Sequence, residues 1–182
     1  MSDTRIVIRN ARLSHANVWE PHETLNGDMK YSVSLIIPKT AEKQIALIKK
    51  AIEAAKEEGK SKLANKKGAT PSNLKTPLRD GDIDRADDSV YEGCYFINAN
   101  SNNAPKIVDR KVQPILDRAE VYSGCYANVS VNFYAYKKDV SVGIAAGLGN
   151  IQKDKAGEPL GGFTNPEDDF NVLDDDEEAV FE

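Results

Sequence analysis

The stretch NVSVNFYAY, residues 128–136, can bury only one of its sides. Successive strand residues point to opposite faces, so Val129, Val131, Phe133 and Ala135 share one face while Asn128, Ser130, Asn132, Tyr134 and Tyr136 share the other. The apolar face needs a core to cover it. The other face sets two aromatic rings beside three polar residues, where a strand rarely keeps its aromatics.

Other segments repeat the period-2 pattern. RIVIRNARLSHANVW reads as a long or bent strand over residues 5–19, and KYSVSLIIP as a second strand stopped by Pro38. Asn26-Gly27 between them is a strong reversal signal, which predicts a hairpin. VYEGCYFINAN, KIVD, EVYSGCYANVSVNFYAYKK and DVSVGIAAGLGNI complete five or six strands. Only one helix is clear. In TAEKQIALIKKAIEAAKEEG, Ala41, Ile45, Ile48, Ile52 and Ala55 recur at helical spacing, Thr40 is placed to cap and Gly59 to end it. Its other face carries Lys43, Lys49, Lys50, Lys56 and Glu57. Without βαβ alternation, these elements predict a mainly β domain with one prominent helix, a small antiparallel barrel or sandwich. Residues 59–90, rich in Lys, Gly, Pro, Ser and Asp, read as a long surface loop, basic in its first half and acidic in its second.

Charge divides the chain unevenly. Residues 1–166 hold all 24 Lys and Arg against 20 acids, whereas residues 167–182 hold nine acids and no base, so a body of +4 carries a tail of −9. We expect a folded domain over residues 1–166 and an unstructured acidic tail over 167–182. The body suits a polyanionic partner, and the tail would compete for the same surface. No run approaches the roughly 18 apolar residues of a membrane helix, and MSDTRIVIRN lacks the apolar core of a signal peptide, so a cytoplasmic protein without a membrane partner is expected. Cys94 and Cys125, with no CxxC, read as two reduced packed thiols.

A groove for unpaired bases needs flat side chains for stacking, each contributing roughly 1 to 3 kcal/mol, and cations for phosphates. Candidate stacking residues are Tyr134 and Tyr136, followed by Tyr31, Tyr95, Tyr122 and Tyr126; candidate phosphate ligands are Lys30, Lys75, Arg79, Lys106, Arg110, Lys137 and Lys138. The plainer reading of about half of these tyrosines is a core ring with its hydroxyl at the surface.

Other chemistries fit less well. Asp80, Asp82 and Asp84 alternate like calcium ligands, but Arg85 stands where such a loop needs Gly and Tyr91 where it needs Glu. GIAAGLGN lacks the GK[ST] of a phosphate loop and, in a strand, predicts a bulge or a close backbone approach. His15 and His22 sit in no catalytic pattern, so no enzyme, cofactor or metal is expected. Two alternatives stay open: a metal-dependent nuclease using carboxylates of residues 80–88, and a protein–protein interaction module.

LIIPK, LKTPLRDGD, YSGCY, NFYAY, GLGNIQ and GEPLGG, in this order and ahead of an acidic tail, resemble the single-stranded DNA-binding proteins of tailed bacteriophages, over residues 5–170. The resemblance implies an OB fold, a five-stranded barrel with long loop insertions whose groove binds oligonucleotides. It further implies a sequence-independent protein that coats and protects single strands in phage DNA replication, recombination or repair, inside the bacterial host. One departure stands out: the helix follows the second strand, whereas an OB barrel commonly places it between the third and fourth. By the same resemblance the tail would dock replication or recombination proteins, with Phe181 as anchor and Asp174, Asp175, Asp176, Glu177 and Glu178 as steering charge. A homodimer is left open.

Overall fold

The computed structural model describes residues 3–69, 71, 73–138, 141–160 and 170–173. Among them are seven strands: β1 (Arg5–Glu23), β2 (Met29–Pro38), β3 (Leu78–Asp80), β4 (Cys94–Ser101), β5 (Ile107–Val108), β6 (Tyr126–Lys138) and β7 (Ser141–Lys155). The helices are α1 (Glu42–Glu58), α2 (Lys60–Leu63) and α3 (Gly81–Asp84). The tail residues Asp174, Asp175, Asp176, Glu177, Glu178 and Phe181 lie outside the described residues.

The strands run β3-β4-β2-β1-β6-β7-β5, and a further pairing of β4 with β7 closes β4, β2, β1, β6 and β7 into a five-stranded barrel. Four seams are antiparallel. The closing seam is parallel and short, with Ala99 opposite Ala146 and Asn100 opposite Gly147. This is the OB-type barrel that the resemblance implies.

β1 serves two neighbours because it bends. Its first half pairs with β6 and its second with β2, and the register slips between Ile8 and Ala11 and again between Ser14 and Asn17. Asn10 and His15 take positive φ of 53° and 48° at these slips, a conformation in which Asn and His are enriched. The reversal after β1 uses Gly27 at φ 84°.

The inward faces of the barrel strands form one core. Ile8, Leu13, Val33, Leu35, Ile97, Val129, Phe133 and Ile151 are almost fully buried, each contributing roughly 1.5 to 3 kcal/mol by burial. α1 covers the barrel with Ile45, Ile48, Ala51, Ile52 and Ala55. It lies between β2 and β4, the connection where the sequence places it. Its N-cap is Ala41 and makes no side-chain cap, so Thr40 does not have the predicted role; the Ala41 amide instead bonds to the Pro38 carbonyl in the preceding turn.

Residues 59–90 are more than a surface loop. Leu63 is buried in the main core, β3 pairs with β4, and Tyr91, just beyond, packs edge-on against Phe96 with ring centroids 5.1 Å apart. Tyr91 and Phe96 build a second small core with Ile36 on the outside of the barrel, and the Tyr91 hydroxyl reaches Ser14 at 3.0 Å.

Candidate nucleic-acid interface

The outer face of the barrel carries a belt of small polar residues that follows from strand register. Asn17 lies opposite Ser32, Ser32 opposite Asn100, Asn100 opposite Gly147 and Gly147 opposite Asn132, so one row crosses all five barrel strands. Ser14, Ser34 and Asn98 form the next row across β1, β2 and β4. The residues alternating with these, including Val33, Ala99, Ala146 and Phe133, are buried in the core, which puts the belt on the outer face; there Asn98 and Asn132 are exposed and Asn17, Ser32 and Asn100 half-buried, whereas Ser34 is buried and Ser14 is covered by Tyr91. Side-chain bonds tie it together: Asn17 Nδ2 donates to Ser32 Oγ and Ser34 Oγ to Asn98 Oδ1. Short side chains leave a shallow floor.

A groove forms where the closing seam ends. Past the two paired positions β4 and β7 separate, and residues 74–80 cross the gap. The Lys75 amide bonds to the Val142 carbonyl, and the Ile144 amide to the Lys75 carbonyl, at 3.1 and 2.9 Å, while β3 pairs with β4. The resulting open groove, about 740 Å³, is walled by Lys75, Arg79 and Tyr136, with Asn98, Asn100 and Ala145 among its lining; Asp80 and Asp84 also line it, Asp84 paired with Arg79 at 3.3 Å. Gly143 lies between Lys75 and Tyr136, bridged to the first and paired with the second. A Cβ there would sit 2.5 Å from the Lys75 carbonyl oxygen. The close approach predicted from GIAAGLGN is thus a requirement of the groove wall, and Gly149 fills the bulge role beside Ser130, where the β6–β7 register shifts.

The sequence-predicted residues separate into two groups. Lys75, Arg79 and Tyr136 meet in this groove. Tyr134 stands two residues along β6, 41% exposed, with its ring beside Gly147. Lys137 and Lys138 extend the same strand at the surface, and Lys30 stands on β2 two residues from Ser32.

The others are occupied elsewhere. The Tyr122 hydroxyl donates to the Gly157 carbonyl at 2.8 Å and accepts from the Gly157 amide at 3.1 Å, with Lys153 over its ring. Tyr126 is covered by Lys155 and Arg12, at 4.9 and 5.8 Å from its ring centroid. These two tyrosines pin the segment after β7. Tyr95 packs against the core beneath Lys39 and Lys49, and Tyr31 also packs against the core. Arg110 is paired with Asp154 at 2.6 Å, and Lys106 sits exposed beside β5, away from the groove.

Ser32, Ser34, Asn98 and Asn100 were missed from sequence, although YSVSLI and INANS alternate as clearly as NVSVNFYAY. Arg85 was missed as well; its guanidinium lies 5.0 Å from the Phe96 ring centroid, with Arg79 at 5.4 Å.

Four of the five carboxylates of residues 80–88 are spent on structure. Asp80 and Asp82 both bind Lys39 at 2.8 Å, Asp84 pairs with Arg79, and Asp88 caps the turn at Val90. Asp82 is held below its ordinary range first by the Lys39 ammonium and then by the Gly93 amide, and Lys39 is raised first by the Asp80 carboxylate and then by that of Asp82. Among the described residues no group of three or more His, Cys, Asp or Glu is arranged to hold a metal ion. Cys94 and Cys125 are free thiols, each pushed up by burial. Among the described residues no helix is long and apolar enough to cross a membrane.

Comparison with known proteins gives concordant results. The family model described as the single-stranded DNA-binding protein of Enterobacter phage Enc34 matches residues 4–180. Putative protein p50 of Acyrthosiphon pisum secondary endosymbiont phage 1 is 29% identical over 184 residues, which cover 95% of this chain and 97% of that protein. Among solved structures, the bacteriophage Enc34 single-stranded DNA-binding protein in complex with single-stranded DNA superposes with a TM-score of 0.74 at 24% identity, covering 87% of this chain and 90% of the other. The single-stranded DNA-binding protein gp2.5 of bacteriophage T7 superposes at 0.61 with 15% identity, covering 95% and 100%. At these identities the two structures speak for the fold.

Proposed function

The chain belongs to the family of the single-stranded DNA-binding protein of Enterobacter phage Enc34, and on that premise we propose that it binds single-stranded DNA without sequence preference across the outer face of its barrel. The observation that carries the reading is the meeting of Lys75, Arg79 and Tyr136 in one groove at the barrel seam. Bases stack on Tyr134 and Tyr136, the phosphates meet Lys30, Lys75, Arg79, Lys137 and Lys138, and the accessible belt residues Ser32, Asn98, Asn100 and Asn132 offer hydrogen bonds to whichever base edge passes. Stacking and phosphate contact tolerate any sequence, because every base has a flat face and every nucleotide a charge.

The family and the solved neighbours are single-stranded DNA-binding proteins rather than enzymes, and the paired carboxylates of residues 80–88 give the nuclease alternative no ligand set. In the proposed role the protein coats exposed single strands during phage DNA replication, recombination or repair. The acidic tail acts as a tethered competitor for the cationic groove and presents Phe181 to replication or recombination proteins; a flexible tether supplies an effective concentration on the order of millimolar, so even a weak contact counts.

Fluorescence anisotropy of a labelled oligo-dT, at several salt concentrations and with duplex as control, tests the reading. If these five cations each meet one phosphate, log K falls against log salt with a slope of about −3.5. A chain stopped after Pro166 is expected to bind tighter than the intact one. Equal affinity for duplex, or a flat salt response, defeats the proposal; no gain on truncation defeats the tail's part in it.

A further inference from the structure

Residues 59–79 contain six Lys or Arg and no Asp or Glu, and the fold fixes this run against the barrel beside the groove. At its start Gly59 packs so closely on Ala135 of β6 that an added Cβ would lie 2.2 Å from the alanine Cβ, and Leu63 is buried in the main core. At its end Lys75 is hydrogen-bonded into β7 beside Tyr136. Between these anchors, the Asn65 side chain accepts from the Lys67 and Ala69 amides and shapes a tight turn. The run is therefore held in place at several points and bears a dense positive charge.

Apart from Arg79, which pairs with Asp84, its charge has no ion-pair partner among the described residues. Lys39, Lys56, Arg79, Arg110, Arg118 and Lys153 are in ion pairs, whereas Lys60, Lys62, Lys66 and Lys67 are exposed and have no ion pair among the described residues. The ridge also lacks Phe, Trp and Tyr throughout residues 59–90. It has nothing to stack a base on, in contrast to the groove with Tyr136. Lys137 and Lys138 add exposed positive charge at the end of β6, the strand on which Gly59 packs.

We propose that Lys60, Lys62, Lys66 and Lys67 form a second part of the DNA site, a phosphate-only track that takes the backbone of the strand as it leaves the groove. This rests on the proposed function and extends it. The groove holds bases and backbone of a short stretch; the ridge adds charge contacts only when the strand is long enough to reach it. On a long strand, occluded length and salt sensitivity are then set by the ridge as well as by the barrel groove.

The test is the full-length chain with Lys60→Gln, Lys62→Gln, Lys66→Gln and Lys67→Gln together, changes that keep a flexible polar side chain of similar helix propensity while removing charge. Two labelled oligo-dT probes are used, one of about 8 nucleotides, within the span of a single OB fold, and one of about 30. The variant is expected to bind the short probe as the parent does. On the long probe its salt slope should fall by up to about 3, at about 0.7 per lost phosphate contact. An unchanged slope on the long probe, or an equal loss on both, overturns the track while leaving the groove reading in place. A parent protein that binds neither probe overturns both together.

Discussion

Removing the Tyr134 ring separates a binding role from a structural one. Tyr134 is 41% exposed on the outer face of β6, its cross-strand partner is Ala145, and no hydrogen bond of its hydroxyl is recorded among the described residues. Tyr134→Ala therefore costs the fold only a cross-strand contact, roughly 0.2 to 1 kcal/mol. For a domain of this size that lowers the melting temperature by no more than about 4 °C. The loss to DNA binding is expected to be larger, about 1 to 3 kcal/mol, or a 5- to 150-fold rise in Kd for oligo-dT. Tyr122→Phe should do the reverse. It deletes both hydrogen bonds to Gly157, worth about 1 to 3 kcal/mol together, and so lowers the melting temperature by about 2 to 12 °C while leaving Kd unchanged. Anisotropy titrations and thermal melts on the same preparations measure both quantities. If Tyr134→Ala binds like the parent while Tyr122→Phe loses affinity without loss of stability, the division of tyrosines drawn from their contacts is wrong.

Three further outcomes are expected. Tyr136→Ala should weaken oligo-dT binding by the same 1 to 3 kcal/mol, but the double variant with Tyr134→Ala should depart from additivity because the two rings are near neighbours on one face; strict additivity would place them in separate contacts. Gly143→Val puts a side chain where a Cβ already lies 2.5 Å from the Lys75 carbonyl oxygen, so it should lower both the melting temperature and DNA affinity, and a stable variant with full affinity would show that the Lys75 crossing is dispensable. Asp82 has a folded pKa below its ordinary 3.8, so its contribution is complete above that value and is lost as pH falls through the folded one. Asp82→Asn should thus narrow the stability difference between neutral pH and about pH 3; an unchanged acid limb in thermal melts would count against the Lys39 contact.

Much of the barrel was legible because its strands each have one face in the core. The inward set Val129, Val131, Phe133 and Ala135 is read directly from alternation, and the helix from the spacing of Ile45, Ile48 and Ile52. What alternation cannot supply is the partner across the seam. That Tyr136 meets Lys75 depends on β7 bringing Gly143 between them, across a separation of sixty-one residues along the chain. Tyr122 and Tyr126 have the same local signature as Tyr134, an aromatic in a strand-like segment with cations near. Only the return of Gly157 and Lys155 to them fixes their role. The Ser and Asn belt was passed over for a different reason: each residue alone is an ordinary outward position, and their meaning appears only once register aligns them in a row.

Closure of the barrel and construction of the groove are one event. A sheet edge exposes unpaired amides and carbonyls, and a closed barrel removes that liability by pairing its last strand with its first. Here β4 and β7 pair at only two positions before they separate, so most of the seam needs another source of hydrogen bonds. Residues 74–80 provide it, bonding to β7 through Lys75 and to β4 through β3. Because this crossing segment stands on the rim of the gap rather than filling it, satisfying the backbone leaves a cleft with side chains of four strands, β3, β4, β6 and β7, on its walls. The residues that complete the pairing, Lys75 and Arg79, are also cations, and the strand across the cleft offers Tyr136. A nucleic-acid groove at this place therefore adds no cavity to the core: it occupies the interval the barrel leaves when it closes.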